Sequence, residues 1–235
     1  MARIARIVVP GLPHLVTQRG MRGERLFRDA ADYELYRDLL AAACRKGRVA
    51  VWAYCLMPNH VHLILVPQGP DGLRRSLADL HRRFTAHVNA RHGWTGHLWQ
   101  GRFASVAMDE DHLIAAARYV SLNPVRARLV RRPEAWPWSS VRAHLAGRDD
   151  GIVKTAPLLD RIGDFAAFLD ARLDEDAVFA ALRRAETTGR PIGADAWIRE
   201  LEHRSHRSLA PRRLGPKPKD RPAASQTDLF NKLSP

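Results

Sequence analysis

Hydrophobic and polar residues follow one another along residues 1–130 in runs whose period changes from strand-like to helical and back. His14 to Arg19 (HLVTQR) predicts a short strand, closed by Gly20 and Gly23. From Asp29 to Lys46 the apolar positions Leu35, Leu39, Leu40 and Ala43 recur at helical spacing, and Gly47 follows as a natural C-cap. Val49 to Met57 and Val61 to Val66 are β-branched and aromatic runs separated by Pro58 and Asn59, which predicts a hairpin with a tight turn. Asp71 is placed to cap a second helix running to about Arg91. That helix carries Leu73, Leu77, Leu80, Phe84 and Val88 on one face, with Arg74, Arg75, Arg82 and Arg83 largely elsewhere. Phe103 to Met108 (FASVAM) predicts a fourth strand, and Asp109 opens a third helix that Pro124 should end.

The predicted order is βαββαβα with a central antiparallel hairpin. It fits an α+β, ferredoxin-like (split βαβ) palm: a four-stranded antiparallel sheet with two helices on one face and the other face free for a site or for the last helix. Beyond Trp136 and Trp138 the pattern weakens into a mainly helical region from about Pro157 to His203, with Phe165, Phe168, Leu169, Phe179 and Leu182 as its apolar stripe. Pro211, Pro216, Pro218 and Pro222 then alternate with Arg212, Arg213, Lys217, Lys219 and Arg221, a composition that predicts a flexible basic tail. The expected organisation is a catalytic domain over 1–140, a helical C-terminal region over 141–203 and the tail over 204–235.

At 235 residues, with 46% hydrophobic and 27% charged side chains, the chain is long enough for a real core and is composed like a folded, soluble protein. Its longest mostly apolar run, Val49 to Met57, is far short of the roughly 20 residues that cross a bilayer, and Pro10, Gly11 and Pro13 interrupt the start before any secretory core develops. Cys44 and Cys55 form no CxxC pair, which argues against a disulfide scaffold or thiolate zinc site and suits a reducing cytoplasm. Charge says more. The net +13 is uneven: residues 1–132 hold 21 basic and 10 acidic side chains, 133–203 hold 9 and 13, and 204–235 hold 8 and 2. Two basic blocks dominated by arginine flank an acidic one, which points to a polyanionic partner such as nucleic acid.

Two constellations carry candidate chemistry. His60 and His62 lie two apart in a predicted strand, so both imidazoles share one face, within reach of a single cation; the alternative is a pair of half-buried strand histidines. Tyr119 and Asn123 lie one turn apart on the third helix. A phenol becomes a competent nucleophile with help from a cation, and an Asn carbonyl is an oxygen ligand for a hard metal; the alternatives are a packing tyrosine and an ordinary Asn-Pro helix stop.

PNHVHLIL (Pro58 to Leu65), LWQGRF (Leu98 to Phe103), ARYVSLNPVRARLV (Ala117 to Val130) and WPWSS (Trp136 to Ser140), in that order, closely resemble the REP-associated tyrosine transposases. These are bacterial members of the HUH single-tyrosine transposase family, whose relatives move insertion sequences as single-stranded DNA. HLVTQRG (His14 to Gly20), GRPIG (Gly189 to Gly193) and LAPRRLGPKPK (Leu209 to Lys219) also look like that family, so the likeness extends along nearly the whole chain.

The resemblance implies a ferredoxin-like palm in which His60 and His62 bind a catalytic Mg²⁺ or Mn²⁺ and Tyr119 is the nucleophile. Asn123 falls where related enzymes place a third ligand, often Gln. It also implies a partner, single-stranded hairpin DNA from palindromic repeats, and a 5′-phosphotyrosine intermediate that conserves bond energy for rejoining. Arg102, Arg118, Arg126 and Arg128 flank these motifs and are candidate phosphate contacts, as are Arg212, Arg213, Lys217 and Lys219 in the tail. Trp94, Trp99, Phe103, Trp136 and Trp138 are candidates either for stacking on unpaired bases or for the core. The expected setting is the cytoplasm, at the nucleoid, with no membrane contact, as a monomer or homodimer. Two rival classes remain: a non-catalytic hairpin DNA- or RNA-binding module on the same fold, and a metal-dependent phosphohydrolase, which needs more ligands than surround His60.

Overall fold

Leu15 and Thr17 turn to one side of the first strand and Val16 and Gln18 to the other, so a six-residue segment serves two cores at once. In the computed structural model, which describes residues 6–171 and 176–209, this strand is β1 (His14–Arg19). It pairs antiparallel with β3 (His60–Pro67) on one side and with β4 (Ala104–Ala107) on the other, while β2 (Val49–Met57) pairs antiparallel with β3. The strand order is therefore β2-β3-β1-β4, as the split βαβ plan requires.

Helices α1 (Ala30–Gly47) and α2 (Gly72–His92) cover one face, where Leu40, Leu77 and Phe84 pack against Val16, Tyr54, Leu63 and Leu65. The opposite face takes α3 (Glu110–Arg126), whose Leu113, Ala116 and Val120 meet Leu15, Cys55, Ile64 and Val106. The last palm helix thus lies on the face that the first two leave open, as expected.

Three local signals act differently from their sequence reading. Asp71 precedes α2 but does not cap it; its carboxylate accepts from Arg74 Nε at 3.0 Å, and its backbone is already helical. Gly47 is the last residue of α1, and it is Arg48 that takes the left-handed cap conformation, at φ 52°. The glycine is needed for helix approach instead, since a Cβ there would sit 1.9 Å from Ser76 Oγ on α2. Pro124 does not end α3, which runs on to Arg126 with Pro124 buried inside it. The Ala127 N–H still reaches the Asn123 carbonyl at 2.9 Å, and tertiary packing outweighs the one helical hydrogen bond that proline forfeits.

The later part of the chain forms α4 (Val141–Leu145), α5 (Ala156–Ile162), α6 (Phe165–Asp170), α7 (Asp176–Thr188) and α8 (Asp195–Ser205). Their apolar residues do not make one stripe. Phe165 and Leu169 close a small cluster with Val141, whereas Phe179 and Leu182 of α7 join the α3 face of the sheet. Leu201 and Leu209 pack with Ile7 and Val9, so folded structure continues past the predicted start of the tail at 204.

These segments also cover the sheet's edges. On the β2 side Leu56 N–H donates to the Trp138 carbonyl, Ser140 N–H to Tyr54 and Lys154 N–H to Val51, at 2.8 to 2.9 Å. On the β4 side Ile192 N–H donates to the Ala107 carbonyl at 2.9 Å.

Candidate active site

The tight turn at Pro58 and Asn59 starts β3 with His60 and fixes the phase of the strand, so that His60, His62 and Ile64 all face α3. The two imidazoles stand edge to face with centroids 4.7 Å apart. His60 Nδ1 donates to the Asn59 side-chain oxygen at 2.6 Å. His62 is fully buried; its Nδ1 lies 3.1 Å from the hydroxyl of Thr17, its cross-strand partner on β1. The Thr17 hydroxyl in turn donates to Glu186 Oε1 on α7 at 2.6 Å. A hydroxyl has one proton to give, so towards His62 Thr17 can only accept, which places the His62 proton on Nδ1.

Nε2 of both histidines is thereby left with its lone pair, and His62 Nε2 is buried without any hydrogen-bond partner. Burial holds both rings neutral: His60 is lowered to about 4, with Arg19 adding to the effect, and His62 lies well below the usual histidine value, pushed further by His60 and Arg19. Two neutral imidazoles with free Nε2 atoms are the donor set that a divalent transition cation takes. Among the described residues no cluster of three or more His, Cys, Asp or Glu side chains stands ready, so other positions would fall to Asn123, phosphate or water.

Tyr119, brought to the same place by α3, has its ring 5.2 Å from that of His62 and is 5% exposed. Burial raises its phenol above the ordinary tyrosine value and the nearby Glu186 carboxylate raises it further, while Arg183 and Arg19 act against them. On its other side the ring meets Phe179 of α7, at 5.2 Å. Asn123 follows one turn later on α3 and is half-buried. A cavity of about 420 Å³ opens beside this group, sharing Thr17, Arg183 and Glu186 with it and lined also by Arg6, Arg19 and Arg102.

The four candidate phosphate contacts within the described residues fare differently. Arg102 is exposed and lines the cavity. Arg118 is 4% exposed, donates to the Ala171 carbonyl and lies 5.5 Å from the Phe168 ring, so it holds α3 to α6 and has no open side for a phosphate. Arg126 sits 3.6 Å from Asp176 and 4.8 Å from the Phe179 ring. Arg128 is exposed just beyond α3, in a left-handed conformation at φ 57°. Arg212, Arg213, Lys217 and Lys219 lie outside the described residues. Trp99 and Phe103 are core residues, and Trp138 stacks on Tyr33 at 4.6 Å; Trp94 is 41% exposed.

Sequence reading missed Thr17, Arg19, Phe179, Arg183 and Glu186. A faint signal existed for the last, since Phe179, Leu182 and Glu186 recur at helical spacing and put an acid on an apolar face.

The chain is similar to several known proteins. The family described as "Transposase IS200 like" matches residues 12–123. A REP-associated tyrosine transposase of Escherichia coli K12 is 22% identical over 132 residues, covering 56% of this chain and 76% of that protein. A Haemophilus influenzae protein assigned to the same group is 26% identical over 131 residues, covering 49% of this chain and 74% of its own length. Among solved structures, a REP-associated tyrosine transposase bound to a REP hairpin has a TM-score of 0.55 at 22% identity, covering 66% of this chain and 92% of that one. That likeness carries the fold. No described helix is long and apolar enough to cross a membrane.

Proposed function

We propose, from the likeness of residues 12–123 to the IS200-like transposases and of the chain to a REP-associated tyrosine transposase, that this chain cleaves and rejoins single-stranded, hairpin-forming repeat DNA through Tyr119. The observation that carries the reading is the convergence of the Tyr119 ring on His62, 5.2 Å away, beside two histidines whose Nε2 atoms are open. Two elements distant in sequence, β3 and α3, bring a nucleophile and a cation site together, which a binding module has no use for.

In the reaction the Tyr119 oxygen, losing its proton, attacks the scissile phosphorus. The bond to the 3′ oxygen breaks, that oxygen takes up a proton, and a 5′-phosphotyrosine remains. Arg183 and Arg19 favour the phenolate and, with Arg102, line the adjacent cavity as counter-charges for the strand. Mg²⁺ or Mn²⁺ held by His60 and His62, with Asn123 as third ligand, would polarise the phosphate as a Lewis acid. Sealing of the nucleophile by Phe179 keeps water from competing for the intermediate. The catalytic unit is assigned to 1–140, the helical region 141–203 adds α7 to it, and the basic tail supplies sequence-independent contacts. Such an enzyme works in the cytoplasm, at the nucleoid.

A denaturing gel after incubation with labelled hairpin DNA tests the reading. A covalent protein–DNA band is the expected result. Cleavage without the band marks a hydrolase, and retention in native gels alone marks the non-catalytic binding module; either overturns it.

A further inference from the structure

A carboxylate whose side chain is only 8% exposed is costly to keep among apolar neighbours, and Glu186 stands on the α7 face that carries Phe179 and Leu182 into the core. It accepts a hydrogen bond from the Thr17 hydroxyl at 2.6 Å, and Thr17 in turn touches His62 Nδ1 at 3.1 Å. Glu186 Oε1 itself lies 3.6 Å from Nδ1, at hand but outside hydrogen-bond range. The three groups therefore form a chain with one direction: Nδ1–H to hydroxyl, hydroxyl to carboxylate.

We propose that Glu186, acting through the Thr17 hydroxyl, is a positioning residue that locks His62 in the Nδ1–H tautomer and so keeps its buried Nε2 open towards a divalent cation. A neutral imidazole free in water populates both tautomers, and with the proton on Nε2 that atom is no ligand. Thr17 alone does not decide between them, because an unanchored hydroxyl can donate to Nδ1 as readily as accept from it. Glu186 removes the choice by consuming the hydroxyl proton. Outer partners of this kind tune metal-bound histidines generally. Here the partner comes from α7, outside residues 12–123, so the helical region is part of the cation site.

The cation half of this inference rests on the metal reading above; the tautomer half does not, and the experiment separates them. Long-range ¹H–¹⁵N correlation spectra of the metal-free, DNA-free protein should show His62 protonated on Nδ1. Glu186→Gln keeps the volume but lets the amide donate to Thr17, which frees the hydroxyl proton to turn to Nδ1, so the His62 proton should move to Nε2. Thr17→Val should leave a mixture of tautomers, and Thr17→Ser should restore the wild-type pattern. Mn²⁺ affinity, read from the free-ion electron paramagnetic resonance signal, should fall about 10- to 100-fold in Glu186→Gln and Thr17→Val. Raised Mn²⁺ should then recover cleavage, an effect on the apparent KM for metal and not on kcat. An Nε2–H tautomer in the wild type, or a tautomer indifferent to both substitutions, overturns the proposal. Failure of the wild type to bind Mn²⁺ while the tautomer responds as stated overturns the cation half together with the metal reading.

Discussion

The ring of Phe179 meets the ring of Tyr119 at 64°, with 5.2 Å between centroids. The candidate nucleophile is thus packed beneath a helix that lies outside residues 12–123, which match the IS200-like transposase family, and its access and its stability are tied to the same contact. Phe179 is fully buried, so Phe179→Ala should cost about 3 to 5 kcal/mol of stability. Urea denaturation checks this. A loss below about 1 kcal/mol would mean that α7 does not close over the site.

Removing single groups separates chemistry from folding. Tyr119→Phe deletes one oxygen from a ring held by packing on both sides, and should abolish the covalent DNA adduct while leaving hairpin binding and the melting temperature nearly unchanged. His60→Ala should also abolish cleavage, as should EDTA on the wild-type protein. Cleavage at wild-type rate by Tyr119→Phe would remove the phenol from the mechanism, and cleavage undiminished in EDTA would remove the metal.

Acid should destabilise the fold well before its carboxylates titrate. Burial lowers His14 and His60 to about 4 and His81 to about 3, whereas in the unfolded chain they titrate near 6.5. Between pH 6.5 and about 4 the unfolded state takes up protons that the folded state refuses, so stability is full above that window and falls as pH drops through it. His14 is the clearest case: it accepts from Val9 N–H and donates to the Leu12 carbonyl, an arrangement only the neutral ring can make. Its share of the loss at pH 5 is about 2 kcal/mol. Urea midpoints at pH 7.5 and pH 5 measure the total, and a midpoint that does not fall refutes the account.

Deleting residues 210–235 removes Arg212, Arg213, Lys217 and Lys219 but keeps Leu209 in its contact with Ile7 and Val9. Hairpin binding should weaken and the slope of log affinity against log salt should flatten, because fewer counterions are released per complex. Cleavage at high protein concentration should persist. An unchanged slope would assign the whole electrostatic contribution to the palm.

The palm and the positions of its candidate site residues were legible because strong periodicity marks their elements. The two-residue spacing of His60 and His62 fixes a shared face whatever the tertiary structure, and the turn before them sets which face it is. Tyr119 and Asn123 were likewise placed by helical spacing. What failed were judgements that depend on distant partners. Arg118 looks like any basic residue beside a motif, yet its guanidinium is taken by the Ala171 carbonyl 53 residues away. Gly47 read as a cap from its position, but the constraint on it comes from Ser76 on another helix. Glu186 sits in a segment with weak pattern, and nothing local says that its partner is Thr17, 169 positions earlier. Local signals named the candidate reacting groups; the groups packed around them come from contacts across the chain.

The covered edges of the sheet bear on how copies of this protein meet. An edge strand with unspent amides and carbonyls invites another chain to extend the sheet, the first step towards strand-paired dimers and fibrils. At Val51, Tyr54 and Leu56 on one side and Ala107 on the other, those groups are already engaged by residues 138–140, 154 and 192 of the same chain. Growth of a continuous sheet between copies would require peeling these segments away first. Resistance to aggregation in this protein is therefore a property of its later half, and variants that loosen the segment around Trp138 or Ile192 should precipitate sooner than variants that merely weaken the core.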